Sequence, residues 1–174
     1  QIKYTIHLKG YEMMSYIWRP ALGTDVTAIV ALAEANFQTE IDTIFTPEPI
    51  TYSRNITLAI INQFYKPTTE LFSVAVEPSG NLLAYTWAKA NDFAPWSDDK
   101  MVGVRMAHLD LRLSSRDRIQ LLKDMIQLWE GFALLSQSPI ICSTTMRNDQ
   151  QAFLKLHQRA GYDVRGSYAY KRLF

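Results

Sequence analysis

MVGVRMAHLDLRLSSRDRIQLLKDMIQLWEGFALL, residues 101–135, reads as a strand, a tight basic turn and a long helix. In the strand, Val102, Val104 and Met106 put apolar groups on even positions, whereas Leu109, Leu111 and Leu113 put them on odd ones. Strand side chains alternate strictly between two faces. A buried strand that changes phase therefore contains an extra residue, a β-bulge, expected near Ala107 and His108. Such a bulge leaves backbone amides and carbonyls unpaired beside it. The turn Ser114-Ser115-Arg116-Asp117-Arg118 offers an N-cap, followed by Ile119, Leu122, Met125, Ile126, Trp129, Phe132 and Ala133 at helical spacing. The positive end of that helix dipole starts among arginines.

Towards the amino terminus, Ile2, Tyr4, Ile6 and Leu8 alternate with polar residues as in a half-buried strand, and a second short strand over 15–19 stops at Pro20. Thr24 or Asp25 caps a helix with Val26, Ile29, Val30, Ala33 and Phe37 on one face. A polar connection over 38–49 leads to a helix over 50–65 that buries Tyr52, Ile56, Ala59, Ile60 and Phe64 and ends before Pro67. Residues 71–76 and 82–89 form a hairpin around Pro78 to Asn81, and a loop over 91–100 carries Phe93 and Trp96.

Towards the carboxyl terminus, residues 139–143 read as a strand buried on both faces, which makes Cys142 a small buried hydrophobe. Asn148 or Asp149 caps a last helix that Gly161 ends, and Tyr162, Val164, Tyr168 and Tyr170 alternate in a final strand or strands. The expected fold class is α/β: a mixed, mostly antiparallel sheet flanked by helices on both sides.

The chain has 174 residues, 48% of them hydrophobic, enough for one core and too few for two ordinary domains. Residues 1–14 are read as an extension strand and 15–174 as a single domain. Eighteen basic residues against 17 acidic ones, a net charge of +1, give no argument for nucleic acid or an anionic membrane. A lone cysteine rules out an intramolecular disulfide and fits a reducing compartment. No apolar run approaches the roughly 20 residues that cross a bilayer, and no cationic-apolar signal sequence opens the chain. A soluble, cytoplasmic protein is expected. The first residue is Gln1, which we read as processing, trimming or an omitted start.

The element order, the bulged strand, the basic turn opening a helix, and the ending Asn-Asp-Gln-Gln-Ala-Phe-Leu-Lys-Leu-His-Gln-Arg-Ala-Gly-Tyr over 148–162 together resemble the GCN5-related N-acetyltransferase family, over about residues 15–173. The resemblance implies an acyl-CoA N-acyltransferase fold and transfer of an acetyl group from acetyl-CoA to a primary amine by direct attack in a ternary complex. It also implies that His108 to Leu111 line the acyl arm, so that Leu109 and Leu111 contact cofactor, and that Arg116, Asp117 and Arg118 meet the pyrophosphate at the helix start. His108 and Asp110 stand where a general base for the amine is required, and His157 replaces the tyrosine that protonates the leaving thiolate. The chain departs from the family where glycines let the turn approach phosphate: those positions hold Ile119 and Leu121, and no glycine occurs over 104–130.

Each of these residues also has a structural role open to it. His157 on an apolar helix face suits a hydrogen-bonded core histidine, His108 with Asp110 suits a solvated polar pair, and the arginines suit an ordinary basic helix start. Three histidines without ligand spacing give no metal site, and no nucleophile elbow, P-loop or dinucleotide fingerprint is present. Two functions follow. One is an acetyl-CoA dependent enzyme acting on a small-molecule or protein amine. The other is a catalytically lapsed relative that serves as a structural or interaction component through protein partners or self-assembly, with no membrane or nucleic-acid partner in either case.

Overall fold

Backbone alternation and helical periodicity resolve, in a computed structural model, into one six-stranded sheet with two helices on each face. The structure describes residues 2–3, 14–41, 44–147, 150–167 and 169–174. The strands are β1 (Ile2–Lys3), β2 (Ile17–Pro20), β3 (Glu70–Val76), β4 (Leu82–Phe93), β5 (Lys100–Leu109) and β6 (Ile140–Cys142), and they lie in the sheet in that order. All neighbours are antiparallel except β5 and β6. Helices α1 (Val26–Glu40) and α2 (Pro49–Tyr65) cover one face around Phe72, Val74 and Tyr85. The other face carries α3 (Ser115–Leu135) and α4 (Gln151–Arg159) around Trp129, Met125 and Val102. The mixed α/β class expected from the sequence is the one observed.

The bulge is real but sits two residues earlier than expected. Trp87 pairs with Met106 and Ala88 with Val104, so Arg105 is the extra residue. Val102 and Val104 pack towards α3, whereas Met106 packs towards α1 and α2, and Ala107 and Leu109 return to the α3 side. Both faces of this strand are covered, so the apolar Met106 carried no mark of having changed sides. Parallel pairing with β6 runs only from Met101↔Ile140 to Gly103↔Cys142. Beyond it β5 and the chain after β6 part. A polar stack holds the kink: Trp129 Nε1 donates to Thr86 Oγ1 at 2.8 Å, and Thr86 Oγ1 donates to the Met106 carbonyl at 2.9 Å.

Other boundaries moved for identifiable reasons. The strand ends at Leu109 rather than Leu113, because Asp110 turns the chain by accepting the Arg112 amide at 3.0 Å. β4 continues through Asn91–Phe93, read from sequence as loop, since Asp92 and Phe93 pair with Met101 and Lys100 of β5. On α2, Phe64 is exposed and Gln63 is buried instead. The Gln63 amide donates to the Ala21 carbonyl at 3.0 Å and accepts the Phe72 amide at 3.1 Å, linking β2 to β3. Residues 162–167 and 169–174 form no strand, so among the described residues β6 is an edge and Cys142 is exposed rather than buried. Ile119 is also exposed, at 46%. The expected strand over 4–8 and the caps Asn148 and Asp149 lie outside the described residues. Among the described residues no helix is long and apolar enough to cross a membrane.

Thr86→Val keeps the shape of this buried site but removes the hydroxyl between Trp129 and Met106. An orphaned buried indole N–H costs about 1–3 kcal/mol, and urea unfolding of the variant should show a loss of that size.

Candidate functional site

Where β5 and the chain after β6 separate, a cavity of about 360 Å³ opens, floored by Val104 to Leu109 of β5. Thr144 to Arg147 and Phe153 of α4 form one wall; Asn36, Phe37 and Glu40 of α1 close one end. Its lining is mostly apolar, and its charged groups are segregated. Glu40 stands at the α1 end, and Arg118 and Arg147 lie on the walls from α3 and beyond β6. Arg105, the bulged residue, reaches Asp92 across the hairpin at 3.1 Å. A second groove of about 640 Å³, between α3 and α4, shares Ile119, Ala152 and Leu156 with the first and adds Lys123, Lys155 and Arg159.

The α1 end is built around His108. Its ring is 2% exposed. Nε2 lies 2.9 Å from a Glu40 carboxylate oxygen, and Nδ1 lies 2.6 Å from the Tyr85 hydroxyl, which is 2.7 Å from that of Tyr52. A carboxylate only accepts, so Nε2 donates to Glu40 and, with the ring neutral, Nδ1 accepts from Tyr85. Phe37 meets the imidazole edge-to-face at 5.2 Å. Asn36, 2% exposed, donates to the Leu109 carbonyl at 3.0 Å and so pins α1 to the end of β5. Glu40 is the last residue of α1, where the helix dipole disfavours a carboxylate. The His108 hydrogen bond offsets that.

Asp110 is the neighbour of this group in sequence only. Its carboxylate is gripped by Arg112, with Nη2 at 2.7 Å and Nε at 2.9 Å, and Arg112 holds the carboxyl below its usual range against the opposing effect of burial. Asp110 is not part of the cavity lining. Leu109 and Leu111, which the resemblance assigned to cofactor contact, line the cavity, and so does Arg118. Arg116 is exposed and stands away from it. Asp117 closes a cap with Ser114: its amide donates to Ser114 Oγ at 3.1 Å, and its carboxylate accepts the Ser114 hydroxyl at 2.6 Å.

Because α3 starts at Ser115, the Arg118 amide already donates to the Ser114 carbonyl at 3.0 Å, and the amides of Ile119 and Leu121 lie further inside the helical ladder. Leu121 is fully buried in the core. The positions of Ile119 and Leu121 thus lie inside a helix rather than in a loop. The backbone offers an anion little beyond the first amides of α3. The Arg118 side chain reaches the cavity wall; its Nη2 donates to Ser115 Oγ at 3.4 Å, and its Nε is buried without a hydrogen-bond partner.

His157 is turned away from the cavity. The ring is 3% exposed and packs against Phe153, Trp129 and Tyr162. Nδ1 lies 2.9 Å from the Phe153 carbonyl and must donate to it, which leaves Nε2 to accept the Ser143 hydroxyl at 3.0 Å. Sequence reading selected His157 for its position before Gly161; in the fold that position seals the core beneath α4. It missed Glu40, whose only sequence signal is an acid in the last turn of a helix.

No family model matches the chain, and no curated protein is significantly similar to it in sequence. Solved structures do resemble it. A glucosamine-6-phosphate N-acetyltransferase from Arabidopsis thaliana superposes with a TM-score of 0.66 at 11% identity, over 92% of this chain and 99% of that one. A predicted acetyltransferase from Clostridium acetobutylicum, solved with acetyl-CoA, gives 0.67 at 12%, over 90% and 96%. An aminoglycoside N-acetyltransferase in complex with CoA gives 0.68 at 12%, over 93% and 97%. At these identities the likeness is one of architecture. The chain has the fold of the GCN5-related N-acetyltransferases, as its sequence resemblance implied.

The His157 geometry has a consequence for stability. Burial pushes its imidazole below the ordinary value near 6.5, partly opposed by the Phe153 carbonyl. The unfolded chain then binds the proton more readily than the native one, so stability is full above that value and falls as pH drops below it. Urea midpoints should fall between pH 7.5 and 5.5, and His157→Gln should reduce that difference.

Proposed function

We propose that the protein transfers an acetyl group from acetyl-CoA to a primary amine, with the amine docking at Glu40. The observation that carries this reading is the union, in one mostly apolar slot, of a carboxylate, Glu40, at the α1 end and the guanidinium groups of Arg118 and Arg147 on the walls. The residues present fit the cofactor. An apolar slot along Leu109, Leu111 and Phe153 suits an extended arm, and the Arg118 guanidinium on its wall supplies positive charge for a phosphate. The grip comes mainly from side chains, with Lys123, Lys155 and Arg159 in the adjoining groove within the same basic tract. The bound thioester would supply an activated acyl carbon.

The roles of this chain's own groups follow from their chemistry. Glu40 attracts the substrate ammonium and takes the proton that nitrogen must lose as it bonds to the acyl carbon. His108, donating through Nε2, keeps that carboxylate oriented. Backbone amides on the β5 edge that parts from β6 polarise the carbonyl, and the departing sulfur takes its proton from water. Asp110 closes the turn that leads into α3, and His157 supports α4 beneath the slot.

Calorimetric titration with acetyl-CoA should show binding, and Arg118→Ala should weaken it about tenfold, the scale of one charge-assisted hydrogen bond. No heat at millimolar ligand would overturn the reading. Glu40→Gln should leave that binding intact while lowering kcat about a hundredfold. The assay follows thiol release over a panel of alkylamines, amino sugars and peptides, and an unchanged kcat would remove Glu40 from its role.

A further inference from the structure

The four-group chain Tyr52–Tyr85–His108–Glu40 ties α2, β4, β5 and α1 together through one line of hydrogen bonds. Glu40 and, through it, His108 belong to the transfer proposed above; the two tyrosines do not. Tyr85 is fully buried and His108 is 2% exposed, so no solvent replaces a partner lost at Nδ1. A buried imidazole needs a donor at Nδ1 when neutral and an acceptor there when it carries both hydrogens. A backbone carbonyl serves only the second state. A tyrosine hydroxyl serves both, provided that its own hydrogen has somewhere to go when it turns from donor to acceptor. The Tyr52 oxygen, 2.7 Å away, is that place.

We propose that Tyr52 and Tyr85 form a reversible hydrogen-bond partner that lets buried His108 take a second hydrogen, and that this event sets the lower pH limit of the site. The proposal rests on the acyl-transfer reading for its functional half. With the ring neutral, Tyr52 donates to Tyr85, Tyr85 donates to Nδ1, and the Glu40–His108 pair carries one negative charge towards the cavity. When His108 gains a hydrogen, Nδ1 donates to Tyr85, Tyr85 donates to Tyr52, the hydrogen of half-buried Tyr52 turns away from Tyr85, and the pair becomes net neutral. A neutral pair neither attracts an ammonium group nor takes its proton. Both tyrosines keep their hydrogens throughout, since burial pushes each phenol well above its ordinary range.

The charged groups facing the ring come from every element around it. Glu40 comes from α1, Tyr52 from α2 and Tyr85 from β4. On its own strand and the turn beyond stand Arg105, held by Asp92, and Asp110, held by Arg112. Across the slot are Arg118 and Arg147. Of these, only Glu40 and Tyr85 hydrogen-bond the imidazole. Tyr52 acts at one remove, and its effect therefore separates a switch from simple packing.

The test uses NMR of the His108 ring in the full-length protein, assigned with His108→Asn, across pH. Tyr52→Phe keeps Tyr85 as a donor to the neutral ring and removes only the acceptor that the charged state needs. The pH at which the ring takes its second hydrogen should fall by about one unit, the scale of one buried hydrogen bond. Tyr85→Phe should lower it at least as far, with Nδ1 moving to the shift of a nitrogen without a partner. The acid limb of kcat/KM for thiol release should move down with the ring in Tyr52→Phe, while KM for acetyl-CoA holds. A ring that titrates alike in Tyr52→Phe and the parent protein would overturn the switch. An acid limb that stays fixed while the ring moves would overturn its link to the site. The ring shift without turnover on any amine would refute the acyl-transfer reading and leave the hydrogen-bond switch standing.

Discussion

Arg105 faces no residue of β4: the register passes from Trp87↔Met106 to Ala88↔Val104 across it. Because the faces of a strand alternate, one uncounted residue exchanges the two faces of everything beyond it. His108 thereby points to the α1 side, where Glu40 and Tyr85 await it, and Ala107 and Leu109 point to α3. Pairing with β6 stops just before Arg105, at Gly103, and leaves a slot between β5 and the chain after β6. Without the insertion, His108 would face the apolar cluster around Trp129, and its charge partners would lie across the sheet.

A kink of this kind is retained only if the surrounding structure overdetermines it. Here the ties are buried polar groups, each reaching a distant element. Thr86 and Trp129 hold the Met106 carbonyl, Asn36 holds the Leu109 carbonyl, and Gln63 joins β2 to β3. Asp124 of α3, 7% exposed, accepts the Tyr16 hydroxyl at 2.6 Å and the Trp18 indole at 3.0 Å. Burial makes each of these bonds costly to leave unmade. They therefore fix register and helix placement more than they add net stability.

The slot also separates charge in a way that the whole-chain balance of +1 conceals. Arginines from β5, α3 and the chain after β6 gather on its walls, and one carboxylate closes its far end. Such a dipolar, mostly apolar cleft suits a long ligand with an anionic head and a reactive tail that meets a cation.

Periodicity alone was enough to read the order of elements as far as α4, the helices on both faces, an N-cap within residues 114–118 and the presence of an extra residue in β5, but not the absence of a strand among the described residues after α4. Each of these follows from local backbone geometry, which leaves a repeating trace in the residues themselves. It placed the bulge at Ala107 and His108 because Met106 is apolar, and a strand covered on both sides is apolar on both sides. Gln63 and Phe64 were exchanged on α2 for a related reason: a buried amide that satisfies two backbone groups looks, in sequence, like a surface residue. His157 and Asp110 carry suitable chemistry but are held by neighbours, the Phe153 carbonyl and Arg112. Glu40 and His108 stand 68 residues apart. Their meeting depends on how α1 crosses the kinked strand, a long-range packing outcome that no local pattern encodes. The sequence by itself determined the fold and the chemical groups on offer; tertiary structure decided which of them share a cavity.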